Sequence, residues 1–200
     1  MRDRRTALES LAQTADSPIL ALIPFTRDVR EASAWLTHGY AGTDGVVAKR
    51  LDDAYRPGER AMVKVKRLKT ADCVVGGFRY ATGSREVGSL LLGLYNAAGQ
   101  LDHVGFTSAI AEADRPALTR TLEALAAPPG FTGKAPGGPS RWSTERSAEW
   151  TPLRPELVVE VRFDHVSGGR FRHGVLILRW RPDKPPRDCT MEQVERDDGP

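Results

Sequence analysis

CVVGGFRY (Cys73–Tyr80), SLLLGLYN (Ser89–Asn96) and LDHVGFTS (Leu101–Ser108) are three apolar runs of strand length, punctuated by glycine and separated by short polar turns. Runs of this kind predict an antiparallel meander. Downstream, Arg115 to Leu125 carries Leu118, Leu122 and Leu125 at helical spacing, which predicts one amphipathic helix. A loop rich in proline and glycine follows from Pro128 to Ser140. LVVEVRFD (Leu157–Asp164) and FRHGVLILRW (Phe171–Trp180) then complete the strand set.

Roughly five strands with one interposed helix suit a small closed barrel of the oligonucleotide-binding (OB) type, and the pattern also allows other small barrels. The upstream boundary of this region falls near Leu68, and the acidic stretch after Cys189 reads as a frayed tail. N-terminal to Leu68 the character differs. Short amphipathic helix patterns cover Arg4 to Leu11 and Asp28 to Leu36, with Asp28 a plausible N-cap and Glu31 three residues on, as in a capping box. Between them PILALIP (Pro18–Pro24) reads as a short buried strand. Two further strands, Gly45 to Arg50 and Ala61 to Lys66, flank LDDAYRPGER, where Pro57-Gly58 marks a turn. The fold class is α+β.

The 200 residues, 40% hydrophobic, contain no run near the ~20 apolar residues of a membrane span. The charged start MRDRRTALES has no apolar core of a secretory signal, so a cytoplasmic protein is expected. Cys73 and Cys189 form no metal-ligand pattern and read as reduced thiols. The net charge of +3 permits a nucleic-acid partner. Its distribution says more: KR at 49–50, KVKRLK at 64–69, RFR at 170–172 and RWRPDK at 179–184 suggest a basic surface assembled from several strands.

Three short motifs carry chemistry. In Asp44-Gly45-Val46-Val47-Ala48-Lys49, Val47 and Lys49 share a strand face, so the lysine can reach an anion; alone, the hexapeptide reads first as a strand ending in a solvated lysine. Lys64-Val65-Lys66 puts two ammonium groups on one face, which either a phosphate or a solvated edge accommodates. If the two strands pair, Lys49, Lys64 and Lys66 converge. Arg179-Trp180-Arg181-Pro182-Asp183-Lys184 follows the same logic: the arginines share a face, and Asp183 can orient one of them, leaving the other and Lys184 for phosphate. Alternatively this is a charged barrel rim.

The three pieces occur in the order and spacing of the covalent nucleotidyltransferases that include DNA ligases. DGVVAK resembles motif IV of that family, KVK motif V, and RWRPDK the R-x-R-x-D-K form of motif VI. YRPGERAMVKVKRLKTADCVVGGFR, GSLLLGLYN, HVGFTS and RPELVVEVRFDH also resemble bacterial ATP-dependent ligases of the end-joining type, over nearly the whole chain. The resemblance implies an adenylation-domain remnant at 1–67 carrying motifs IV and V, an OB-fold β-barrel at 68–190 carrying motif VI, and a tail at 191–200. It implies ATP with Mg²⁺ or Mn²⁺ as cofactors and nicked double-stranded DNA as partner. By the same resemblance Lys49, Lys64 and Lys66 contact the α-phosphate side of ATP, and Asp44 assists the metal, one methylene shorter than the family's usual Glu. Arg179, Arg181, Asp183 and Lys184 would close over the ATP and orient the departing pyrophosphate.

The family's nucleophile, a lysine in K-x-D-G, does not occur here: the lysines are Lys49, Lys64, Lys66, Lys69, Lys134 and Lys184, and Asp44-Gly45 belongs to motif IV. No residue is therefore assigned as the nucleophile. The chain is expected to be a truncated ligase, as a gene fragment, a pseudogene product or half of a split enzyme completed by a separate chain, and to be inactive alone. Residues 1–67 should then expose apolar surface. A DNA-binding OB module without chemistry and an inert fragment are the competing readings; an mRNA-capping guanylyltransferase or an RNA ligase ranks below them, because the flanking phrases match DNA ligases.

Overall fold

The computed structural model describes residues 1–15, 17, 19–38, 45–137 and 149–195, and the chain falls into two units, Met1–Arg67 and Leu68–Pro200. In the first, helix α1 (Arg2–Thr14) is braced by the Arg5–Glu9 pair one turn apart, at 2.5 Å. Asp28 caps helix α2 (Val29–His38) by accepting the Arg30 amide at 2.8 Å. The reciprocal half of the expected capping box is replaced, since the Asp28 amide donates to Thr26 Oγ1 at 2.9 Å. Strands β1 (Gly45–Lys49) and β2 (Met62–Lys66) form an antiparallel ribbon, joined by a loop whose turn uses Gly58 at φ 79°.

No described residue of this unit is buried. The expected strand in PILALIP is corrected here: Ile19–Pro24 forms no strand, and Ile19 and Ile23 are 89% and 77% exposed. An apolar run becomes a strand only when a sheet edge accepts its backbone, and none of the described strands pairs with it.

The second unit holds the whole core. Strand β3 (Lys69–Tyr80) is long and bent, with pairing shifts after Val75 and after Arg79. It pairs with β4 (Val87–Tyr95), which pairs in turn with β5 (Leu101–Thr107), giving the expected meander. Helix α3 (Arg115–Ala124) lays Leu122 into the core, and Thr119 Oγ1 fastens it to the start of β4 by accepting the Val87 amide at 2.9 Å. The remaining strands are β6 (Thr151–Pro152), β7 (Val158–Phe163), β8 (Val166–Ser167), β9 (Arg170–Phe171) and β10 (Leu176–Trp180).

The main sheet runs β10-β7-β3-β4-β5, with β6 pairing β3. Among the described residues no ladder joins β5 to β10, so the sheet is not closed into a barrel, which corrects the expectation of closure and leaves the OB-type sheet open. β9 packs against β5, and a backbone hydrogen bond from the Val175 amide to the Phe106 carbonyl at 3.2 Å bridges the gap. The class itself, α+β with helices beside an antiparallel sheet, is as expected.

The loop after α3 contributes to the core. Phe131 is buried in a slot made by two glycines: a Cβ on Gly76 or on Gly93 would meet its ring at 2.7 or 2.9 Å. Trp150 and His103 close around it at 5.4 and 5.3 Å between ring centroids. The chain after Cys189 does not fray as expected up to Glu195. Cys189 and Val194 are buried, and the Gln193 side chain accepts the Asp72 amide at 2.9 Å and donates to the Asp72 carbonyl at 3.1 Å. Burial raises both thiols, Cys189 to about 12, which keeps them as neutral packing groups.

Candidate functional site

Pairing in the ribbon sets Gly45 opposite Lys66, Val47 opposite Lys64 and Lys49 opposite Met62. Directly opposed residues share a face and alternate along each strand, so Lys49, Lys64 and Lys66 all stand on one face. Neighbours on that face lie roughly 7 Å apart, a spacing at which two ammonium groups repel by about 0.6 kcal/mol in water. The ribbon tolerates this, and an anion over the face would reverse the sign. Gly45 permits the pairing, because a Cβ there would run into the Val65 carbonyl oxygen. Val46, Ala48, Val63 and Val65 make up the opposite, apolar face, with Val63 and Val65 exposed.

In the second unit β10 carries a bulge between Ile177 and Arg179, after which Arg179 stands opposite Glu160 of β7. Glu160 is in turn opposite Asp72 of β3. Arg179 Nε donates to Glu160 Oε2 at 2.6 Å. Arg181 donates from Nε to Asp183 Oδ1 at 3.0 Å and from Nη2 to Asp183 Oδ2 at 2.8 Å, the bidentate pair expected, and from Nη1 to Asp72 Oδ1 at 2.9 Å. The hydrogen bond from Arg181 is the main reason Asp183 stays ionised down to about 2; reciprocally, Asp183 raises the guanidinium above its ordinary value.

Two of the expected groupings are thus present as geometry, the three lysines on the ribbon and the four motif VI residues at the end of β10. Arg179, left for phosphate in the sequence reading, also hydrogen-bonds Glu160, while its side chain stays 64% exposed. Asp44 lies outside the described residues. Among the described residues no group of three His, Cys, Asp or Glu could hold a metal ion. The lysine face suits the polyanionic part of a nucleotide.

Sequence reasoning missed Asp72, Glu160 and Gln193. The two acids carry a signal, each a lone charge in an apolar strand (TADCVV, VVEV) at a position that alternation sends outward. Gln193 carries none. No helix among the described residues is long and apolar enough to cross a membrane.

Residues 83–184 match the family described as ATP dependent DNA ligase C terminal region. The chain is 44% identical to DNA ligase C2 of Mycolicibacterium smegmatis and 41% identical to DNA ligase C of Mycobacterium tuberculosis, over 96% and 97% of its own length. It spans 59% of each of those relatives. It also resembles the crystal structure of the ligase domain of M. tuberculosis LigD, with TM-score 0.55 and 31% identity, covering 94% of this chain and 59% of that one. A Lig E DNA ligase structure, 19% identical with TM-score 0.54 over 90% of this chain and 58% of that one, shares the fold. Matched from the turn before β4 through the whole R-x-R-x-D-K segment, the chain belongs to the ATP dependent DNA ligase C terminal region family.

Proposed function

We propose that the chain is part of an ATP-dependent DNA ligase that seals nicks in double-stranded DNA by adenylyl transfer, as in end-joining repair. The observation that carries this reading is the ribbon register, which aligns on one face Lys49, Lys64 and Lys66, the lysines of the two segments that resemble motifs IV and V. In this reading those lysines neutralise the α-phosphate side of ATP and of the lysine-AMP adduct. Arg179 and Lys184, braced by Arg181 and Asp183, meet the departing pyrophosphate. Asp44 would assist Mg²⁺ or Mn²⁺, which when bound supplies charge neutralisation at the phosphates. Residues 1–67 act as an adenylation-domain portion and 68–190 as the OB-fold portion.

The nucleophile would be a K-x-D-G lysine outside these 200 residues, in the same or a separate polypeptide. Two observations support a need for further sequence: the chain spans only 59% of ligases to which it is similar, and the first unit buries none of its described residues. The purified 200-residue chain incubated with α-labelled ATP and Mg²⁺ is expected to form no adduct stable to denaturation. Mixed with a ligase segment bearing K-x-D-G, it should stimulate labelling of that segment. Label on the 200-residue chain would identify a nucleophile among its own six lysines and overturn this assignment.

A second reading, a DNA-binding module without chemistry, rests on the basic blocks spread over several strands. Salt-dependent DNA binding without any nucleotide binding would favour it.

A further inference from the structure

Arg181 is held on three sides. Each of its three guanidinium nitrogens donates to a carboxylate, two of them to Asp183 and the third to Asp72, and its side chain is only 17% exposed. Asp72 lies 109 positions away in sequence, two strands across the sheet. Its backbone is itself fixed, because the Gln193 amide accepts from its N–H and donates to its carbonyl. Glu160, on the strand between them, lies 4.0 Å from Arg181 Nη1 and accepts from Arg179. The backbone around Arg181 is tied as well: its amide donates to the Val158 carbonyl at 2.8 Å, and its carbonyl accepts the Lys184 amide at 3.1 Å.

Freedom is distributed unevenly within this segment. Arg179 is bonded to Glu160 yet mostly exposed, and no carboxylate of the described residues lies within ion-pair distance of Lys184, whereas Arg181 is locked. A partly buried guanidinium with bidentate and monodentate carboxylates is a rigid crosslink, since its planar fork fixes direction as well as distance. It ties the end of β10 to β3 across β7.

We propose that Asp72 is a positioning residue for the R-x-R-x-D-K segment: it holds Arg181 as a fixed post, from which Arg179 and Lys184 are presented to phosphate. Gln193 serves the same end by fixing the Asp72 backbone. This rests on the reading above that the segment meets nucleotide phosphate. The opposite role for Asp72, a mask that competes with phosphate for Arg181, makes the opposite prediction.

The test uses the full chain and two readouts: the rotation rate of the Arg181 guanidinium by nitrogen-detected NMR, and titration with inorganic pyrophosphate. Asp72→Asn and Gln193→Ala should both speed the rotation, and Asp72→Asn should weaken pyrophosphate binding by about ten-fold, the low end of the scale for one charge-assisted hydrogen bond. Asp72→Glu should restore part of both. Should Asp72→Asn fail to fold, Gln193→Ala, which leaves every charge in place, carries the test. Unchanged rotation and affinity overturn the proposal, and so does tighter binding, the signature of a mask. If Arg179→Ala with Lys184→Ala leaves the pyrophosphate titration unchanged, the phosphate reading fails separately, and the rotation rate then decides whether Asp72 holds Arg181.

Discussion

Phe131→Ala is expected to destabilise the second unit by about 3–5 kcal/mol, the range for removing a fully packed aromatic ring. The reason lies in the slot. Gly76 of β3 and Gly93 of β4 leave no side chain beneath the ring, so the sheet cannot collapse to fill the space, and Trp150 and His103 pack against the ring from two sides. Sites that relax least lose most. Hydrogen exchange of the β3 and β4 amides, which reads the second unit alone, measures the effect. A loss under about 1 kcal/mol would mean that the loop carrying Phe131 covers the sheet without holding it. Gly93→Ala should be destabilising for the complementary reason, because its new methyl group enters the space the ring occupies.

The second large effect is a dependence on pH. His103 is buried, and burial first, then the charges of Arg170 and Arg79, lower its pKa to about 3. Arg170 Nη2 lies 3.0 Å from His103 Nδ1, and a guanidinium can only donate, so this nitrogen accepts and the ring is neutral. The unfolded chain, with an ordinary histidine near 6.5, binds a proton that the folded chain refuses. Stability from this group is therefore fully present above about pH 6.5 and is lost as pH falls toward 3. Between pH 8 and pH 5 the loss should be about 2 kcal/mol. His103→Gln, which cannot titrate, should remove that loss relative to the unmodified chain in denaturant unfolding at the two pH values. Equal losses in both would show that His103 takes up its proton without unfolding.

The meander was legible in the sequence because β-branched and leucine runs between glycines leave few alternatives, and Leu118, Leu122 and Leu125 mark the packed side of α3. The lysine face was legible too. A Lys-x-Lys spacing on a strand needs only period two, and pairing with a nearby strand needs only a short turn. What failed depended on information from afar. PILALIP has the composition of a strand, yet composition does not supply a sheet edge. Phe131 sits in a loop of prolines and glycines, where hydrophobic periodicity has nothing to act on. The Asp72–Arg181 contact depends on the register of three strands at once, and Gln193 sits in a segment whose acidity suggested solvent.

The bulge in β10 bears on which changes of length the protein can survive. Each strand position alternates between core and surface, and the extra residue at Leu178 is what brings Arg179 level with Glu160 rather than with the core residue Val159. Deleting Leu178 would therefore keep Ile177 opposite Val161 and Arg179 opposite Glu160 in an unbroken ladder, with every side chain on its present face. Deleting Trp180 instead would move Arg181 into the place opposite the core residue Val159, though every charged group remained. Among natural variants of this chain, single-residue deletions in β10 should accordingly fall at the bulge and be absent between Arg179 and Arg181.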